Sequence, residues 1–274
     1  MNRNSVDILT IMLSWNRAEL LEQTIKSYIE TVSVSYTLIV VDNASNSKTI
    51  LTLKRLAELY NFKAIFLKEN KGGLAFNHIL NTVNINKYRY IHFSENDLEY
   101  RPGWDKELIS KLETFPKLGQ ISPYSLTPEV EQGEIWGKRP GKPFRKGGKL
   151  IYICPNTGTT CLVKKILIKR GLRWKNIQKN KWKLPADAAF SAGVKRMGYF
   201  AAWNDRYLAK NWGHNITQFQ KEIDYYVKNY SVKSIKLKGF IDRLRKHGYK
   251  LIISPDKTYK IKPINKNSVN KLDT

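Results

Sequence analysis

The chain has little cysteine: two residues, Cys154 and Cys161, among 274. That is too few for a disulfide framework and forms no zinc-ligand spacing, so a reducing compartment is the natural setting. It also lacks long apolar runs. Nothing approaches the roughly 20 consecutive apolar residues of a membrane span. The start, Met1 to Asp7, runs straight into a strand-like segment, and no signal peptide is expected. The third deficit is local. Between Glu134 and Asp187 there is no acidic residue at all.

What is present fits a folded domain. Apolar residues make up 42% of the chain, enough for a core. The net charge of +25 is unevenly spread. Residues 1–134 carry 15 basic and 16 acidic side chains, residues 135–186 carry 15 basic and no acidic ones, and residues 187–274 carry 18 basic and 7 acidic. A uniform compositional bias would raise the charge everywhere. Confinement to the second half points to a polyanionic partner held there, the alternative being a merely soluble basic surface.

Hydrophobic patterning alternates strands and helices over the first 115 residues. Short apolar runs at Asp7–Ser14, Tyr36–Val41, Phe62–Leu67 and Tyr88–Phe93 read as buried strands. Between them, Arg17–Val32, Ser47–Tyr60 and Leu74–Val83 carry helical spacing. This alternation predicts crossover units and a mainly parallel sheet flanked by helices. Right-handed crossovers gather the strands' carboxyl ends on one rim, where open α/β sheets bind ligands. Beyond residue 116 the pattern loosens. Strands are expected at Gly119–Pro123, Leu150–Cys154 and Tyr199–Trp203, and a helix at Ala186–Met197. Gly137–Gly148 reads as a mobile basic loop. Basic helices are expected at Gln218–Tyr230 and Val232–His247, followed by a small hairpin from Tyr249–Ile253 and Thr258–Ile261.

The most informative segment is Phe93-Ser-Glu-Asn-Asp97, acids at the end of a buried strand. Such acids are costly unless a cation sits on them or they cap the helix that follows. Taken with Thr10-Ile-Met-Leu-Ser-Trp-Asn-Arg17, Leu38-Ile-Val-Val-Asp-Asn-Ala-Ser45 and Glu69-Asn-Lys-Gly-Gly73, the chain resembles the nucleotide-sugar half of family-two glycosyltransferases with the GT-A fold. The resemblance covers about residues 7–115. Asp187, in Leu184-Pro-Ala-Asp-Ala-Ala-Phe190, and His214, in Asn211-Trp-Gly-His-Asn215, extend it to about residue 215.

The resemblance implies an α/β, GT-A-like (Rossmann-like) domain over 1–215, with a nucleotide-sugar half at 1–115 and an acceptor half at 116–215. A basic helical extension follows at 216–274. It implies a nucleotide-diphosphate sugar as donor and Mn2+ or Mg2+ as cofactor. Asp42 would bind the base, though a turn-forming Asp before Asn43 is the alternative. Ser14 and Arg17 would flank the nucleotide, and Lys71 would face the ribose or diphosphate. Glu95 would approach the ribose and metal-bound water, and Asp97 would ligate the metal. The family's Asp-any-Asp pattern is here Glu-Asn-Asp, which puts Glu95 in more doubt than Asp97. His214 is a possible third ligand or an ordinary loop residue. Asp187, the sole acid between Glu134 and Asp205, would be the general base of an inverting transfer, or else a helix N-terminal acid. Asn156, Thr157 and Gly158 match the segment under donor sugar and acceptor.

On the acceptor side, cations interleave with aromatics: Lys138, Arg139 and Arg145 in the basic loop, then Trp174 and Trp182 among Arg173, Lys175, Lys179, Lys181 and Lys183. Such interleaving suits a phosphate backbone with a base to stack. It suits an anionic membrane surface almost as well. The first expectation for the acceptor is therefore modified nucleic acid, such as hydroxymethyl-pyrimidine DNA. A lipid-linked or cell-envelope acceptor, and a non-catalytic nucleic-acid-binding module on the same fold, are the alternatives. The expected location is cytoplasmic, with peripheral contact at the inner membrane surface as a variant.

Overall fold

A computed structural model describes residues 6–137, 139–179, 182–232, 236–256 and 258–264. The chain divides into two compact units, residues 1–126 with 139–210 and residues 127–138 with 211–274.

The first unit begins β1 (Val6–Ser14), α1 (Ala18–Thr31), β2 (Tyr36–Asp42), α2 (Ser47–Tyr60), β3 (Lys63–Phe66), α3 (Ala75–Thr82) and β4 (Tyr88–Ser94). It continues with β5 (Leu98–Tyr100), α4 (Trp104–Thr114), β6 (Leu118–Ser122), β7 (Lys142–Lys146), β8 (Lys149–Cys154), β9 (Cys161–Lys164) and α5 (Lys165–Lys169). The last elements are β10 (Ile177–Lys179), β11 (Trp182–Leu184), α6 (Ala186–Arg196), β12 (Phe200–Asn204) and β13 (Ala209–Asn211), whose last residue opens the second unit.

Nine strands form one sheet in the order β3-β2-β1-β4-β9-β6-β12-β8-β7. β3, β2, β1 and β4 run parallel, as the alternating pattern predicts. The second half is mixed: β9 is antiparallel to both β4 and β6, β12 is parallel to β6, and β8 and β7 add antiparallel strands. The expectation of a mainly parallel sheet therefore holds for the first half only.

Burial on both faces explains why β1 reads as an unbroken apolar run. Ile8 and Met12 pack with Leu21, Ile25, Leu53, Trp104 and Leu108 from α1, α2 and α4. Leu9 and Ile11 pack on the opposite face with Phe76, Ile79, Leu167, Phe190 and Val194 from α3, α5 and α6. Each such side chain, taken fully out of water, contributes roughly 1.5–3 kcal/mol.

Two features expected at the surface, a basic loop and a tryptophan, take other forms. Residues 137–148 are not simply a loop, because Lys142–Lys146 pairs with Lys149–Cys154 as a hairpin. Its turn is Gly147-Gly148, both at positive φ, the conformation a tight two-residue hairpin turn demands. Trp174 is not available for stacking against a ligand. It is 1% exposed, lies nearly parallel to Phe190 at 4.4 Å, and packs on Phe76 and Phe93.

The second unit holds α7 (Ile216–Lys221), α8 (Ile223–Val232), α9 (Lys236–Lys246) and the hairpin of β14 (Tyr249–Ile253) and β15 (Tyr259–Pro263). The single helix expected at 218–230 is broken at Glu222. Its core joins Ile135, from the separate segment 127–138, to Phe219, Tyr226, Tyr230, Phe240, Leu244 and Ile261.

Candidate active site

The rim at the carboxyl ends of β1, β2 and β4 is set by register. Ser14 pairs with Asp42 across β1 and β2, and Met12 pairs with Ser94 across β1 and β4. Ser14 and Asp42 are buried, at 0% and 1% exposure. Asp42 Oδ2 accepts the Ser45 amide at 3.0 Å, while Oδ1 is buried and has no partner. Ser14 Oγ is buried and unpartnered too. Buried polar atoms normally find a partner, so two orphans side by side mark a place where a ligand would supply one.

The loops above these strands are bound together by asparagines. Asn43 donates from Nδ2 to the Gly72 carbonyl, and its Oδ1 accepts the Lys71 amide at 2.8 Å. This ties the Lys71 turn to the end of β2. The Lys71 ammonium itself is half exposed and lies 3.3 Å from Glu69. Gly73, next in that turn, sits so close to α6 that an added Cβ would lie 3.2 Å from the Ala186 Cβ. The turn carrying Lys71 therefore abuts the helix that carries Asp187.

After β1 the backbone takes two left-handed residues in a row, Asn16 and Arg17, each at φ 55°. Ala44, after β2, is also left-handed at φ 60°. Non-glycine residues in this region cost free energy and cluster at binding sites. The twist sends Arg17 over the acidic turn. Its Nη1 donates to Asp97 Oδ2 at 2.9 Å and its Nη2 to Asn96 Oδ1 at 3.1 Å. Asn96 in turn donates to the Asn16 carbonyl. Asp97 Oδ1 is buried and unpartnered.

Beneath the turn lies a buried polar chain. Tyr100 donates to Ser94 Oγ at 2.7 Å, and Ser94 donates to the Glu95 carbonyl. His92 bridges Tyr100 and Thr10, each at 3.3 Å. Burial drives His92 down to about 3, so the ring is neutral.

Asp187, half-buried in the first turn of α6, accepts Asn156 Nδ2 at 2.9 Å on its Oδ2. Asp187 and Glu95 both lie near enough to the buried Cys161 thiol to act on it. Burial pushes the Cys161 thiol up to about 12, and the charges of Asp187 and Glu95 add to that rise. Burial likewise raises the Tyr124 hydroxyl, with further contributions from Glu95 and Asp97. Thr157 is fully buried, and Gly158 holds a φ of +74°.

The profile described as Glycosyl transferase family 2 matches residues 10–171. The chain belongs to glycosyl transferase family 2. Its fold is the GT-A fold, shared with similar solved structures. One similar structure is the mannosyltransferase PcManGT from Pyrobaculum calidifontis in complex with GDP-Man and Mn2+, with TM-score 0.53 and 16% identity over 74% of this chain. The match spans 58% of that enzyme's length. Another is S. aureus TarS 1–349 in complex with UDP-GlcNAc, with TM-score 0.54 and 12% identity over 88% of this chain and 80% of that one. A search of curated proteins finds no match.

Within this family member the remaining sequence-selected residues fall in varied settings. Arg139 stacks over Tyr124 at 4.8 Å and Trp203 at 4.6 Å and donates to the Ser125 carbonyl. Arg145 is exposed on β7. Lys138 lies outside the described residues, as does the side chain of Trp182 on β11. His214 belongs to the second unit, where its Nδ1 lies 3.1 Å from Arg243 Nη1. A guanidinium only donates, so Nδ1 accepts, and ligation of a metal through Nε2 would need that contact to open.

Among the described residues no group of three or more His, Cys, Asp or Glu could hold a metal by itself. Mn2+ or Mg2+ suits this donor set in another way, through one carboxylate oxygen plus substrate phosphates. Asp97 Oδ1, buried and without a partner, could supply that oxygen. The sequence missed Asn16, Asn43 and Asn96 as builders of the rim. Their signal is an asparagine within two residues of each of these strand ends, a residue type that tolerates the left-handed region and bonds backbone with its side chain.

Proposed function

We propose that the chain is a metal-dependent inverting glycosyltransferase, moving a sugar from a nucleotide-diphosphate donor to a hydroxyl on a polyanionic acceptor. The observation that carries this reading is the set of unsatisfied buried oxygens on one rim: Ser14 Oγ, Asp42 Oδ1 and Asp97 Oδ1. Asp42 Oδ1 would accept a hydrogen bond from the base. Arg17, by holding Asp97 Oδ2, orients Oδ1 for Mn2+ or Mg2+, which would neutralise the departing diphosphate. Lys71 and Glu95 would face the diphosphate and ribose.

Asp187 is the general base in this reading. It takes the acceptor hydroxyl proton as the acceptor oxygen bonds to the anomeric carbon. The bond from that carbon to the diphosphate oxygen breaks, and its electron pair leaves on the nucleoside diphosphate. One carboxylate suffices because attack from the opposite face inverts the centre in one step. Thr157 and Gly158 would lie beneath the sugar.

For the acceptor, the supporting observations are the acid-free stretch at 135–186 and the exposed Lys142, Arg145 and Lys146 on edge strand β7. Nucleic acid with hydroxymethylated pyrimidines is the first acceptor to test. A cell-envelope polymer or lipid-linked phosphate is the second, and the burial of Trp174 favours it, since one aromatic expected to stack on a base is in the core. Among the described residues no helix is long and apolar enough to cross a membrane.

The test is nucleotide release from a panel of nucleotide sugars with Mn2+ or Mg2+, then addition of modified DNA, anionic vesicles or phosphate polymers. Expected are metal-dependent release and acceptor binding that weakens steeply with salt. A folded protein that releases nucleotide from no donor with either metal overturns the catalytic reading. If it nevertheless binds DNA, the non-catalytic module replaces it.

A further inference from the structure

We propose that Asn156 is a positioning residue that aims the Asp187 carboxylate. The proposal rests on Asp187 being the base. By its match to the segment under donor sugar and acceptor, Asn156 is expected to face the acceptor, but both ends of its amide are committed within the protein. Nδ2 donates to Asp187 Oδ2 at 2.9 Å. Oδ1 accepts the Gly158 amide at 2.9 Å and the Ser191 hydroxyl at 3.3 Å.

These contacts fix which way the amide faces. Only its oxygen can accept from Gly158 and Ser191, so the nitrogen must face the carboxylate. The bond to Gly158, two residues on, closes an Asx turn, and the left-handed Gly158 completes it. Ser191 stands one helical turn beyond Asp187 on α6, so the same helix holds both ends of the device. With Oδ2 held, the carboxylate cannot rotate freely, and Oδ1 is the oxygen left to take the acceptor proton. That proton transfer is the one described above, with the sugar passing to the acceptor oxygen and the electron pair to the diphosphate. Small errors in such alignment are expensive in rate.

Asn156→Asp separates positioning from folding. The new carboxylate still accepts from Gly158 and Ser191, which preserves the turn, but two carboxylates this close repel or share one proton, and in either state Asp187 is no longer held as an aimed, unprotonated base. The expected result is a fall in kcat of about a hundredfold with donor KM and melting temperature near wild type. Asn156→Ala should lower kcat similarly in the wild-type background and cause no further loss in Asp187→Asn, because the group being aimed is then gone. If Asp187→Asn abolishes transfer while Asn156→Asp and Asn156→Ala keep kcat within about twofold, the positioning role is overturned and the base stands. If Asn156→Ala lowers the residual rate of Asp187→Asn as much as it lowers the wild-type rate, Asn156 acts through folding and the proposal is overturned. If Asp187→Asn retains wild-type kcat, the base reading itself has failed.

Discussion

Asp97 gives one oxygen to Arg17 and keeps the other buried without a partner. The two oxygens should therefore respond differently to substitution. Asp97→Asn leaves an oxygen for Arg17 but removes the charge, and kcat should fall by about a hundredfold or more, a loss that excess Mn2+ does not repair. Arg17→Ala frees the carboxylate to rotate, and the metal concentration for half-maximal rate should rise about tenfold to a hundredfold. Equal metal requirements in wild type and Arg17→Ala would show that the ion pair does not orient the ligand. His92 makes a second residue-scale prediction. Its folded value, about 3, lies below its ordinary 6.5, so the unfolded chain binds the proton first as pH falls. Stability from this group is present above pH 6.5 and declines as pH drops toward 3, by up to roughly 4–5 kcal/mol. His92→Phe, which keeps a ring beside Tyr28 and Trp104, should show a smaller loss of melting temperature between pH 7 and 4 than wild type. An identical loss in both proteins would assign the acid sensitivity elsewhere. The acids of this site were legible because their positions at strand ends carry an electrostatic cost that sequence alone exposes. The asparagines were not, because their role comes from backbone twists that no hydrophobic period encodes.

Elements were legible in proportion to how much of their signal is local. β1, β2 and β4 with α1 to α3 follow from apolar periodicity, since each is buried along much of its length or along one face, whereas β3, expected to be buried, is an edge strand whose residues are exposed or only half-buried. β9 was missed: its Cys161-Leu-Val run is short, and what makes it a strand is pairing with β4 on one side and β6 on the other. β7 looks like a loop in the sequence because its five residues are all exposed and three are basic, which is how an edge strand looks when it resists further pairing. α6 was found, but its closeness to β6 was not. Gly119 allows that approach. A Cβ there would meet Leu167 Cδ1 at 2.8 Å, the Tyr199 Cβ at 2.9 Å and Val194 Cγ1 at 3.0 Å. Gly119→Ala must therefore push α5 and α6 off the sheet, costing about 1–3 kcal/mol in denaturant unfolding. Because α6 carries Asp187 while Asp42 and Asp97 stand on other elements, kcat should fall by a larger factor than donor KM rises, the smaller effect on KM coming through the Lys71 turn that abuts α6. An unchanged unfolding midpoint would mean the helices yield without cost.

At the scale of the molecule, the division of the chain does not follow the charge map, because most of the acid-free stretch at 135–186 falls in the first unit. The second unit draws on two separated segments, 127–138 and 211–274. Ile135 joins its core. Glu134, fully buried, accepts the Trp136 indole N–H at 2.9 Å and, more weakly, the Asn211 amide at 3.4 Å. Truncation after Lys210 would therefore strand Ile135 and Trp136 in water and leave a carboxylate without part of its cover, and aggregation is the expected result. A cleaner excision exists. The Arg139 amide donates to the Leu126 carbonyl at 2.8 Å, so the points where the chain leaves and re-enters the first unit already touch. Replacing residues 127–138 with Gly-Gly and ending at Lys210 should give a soluble, cooperatively melting protein. It would retain Ser14, Asp42, Asp97 and Asp187, and metal-dependent nucleotide release should persist. It would lack His214. If the shortened protein releases nucleotide only at a much higher metal concentration than the full chain, Asp97 and the donor phosphates are not enough to hold the ion. If release and its metal dependence both survive, Asp97 and the donor phosphates are enough, as one buried, unpartnered oxygen on the rim suggests.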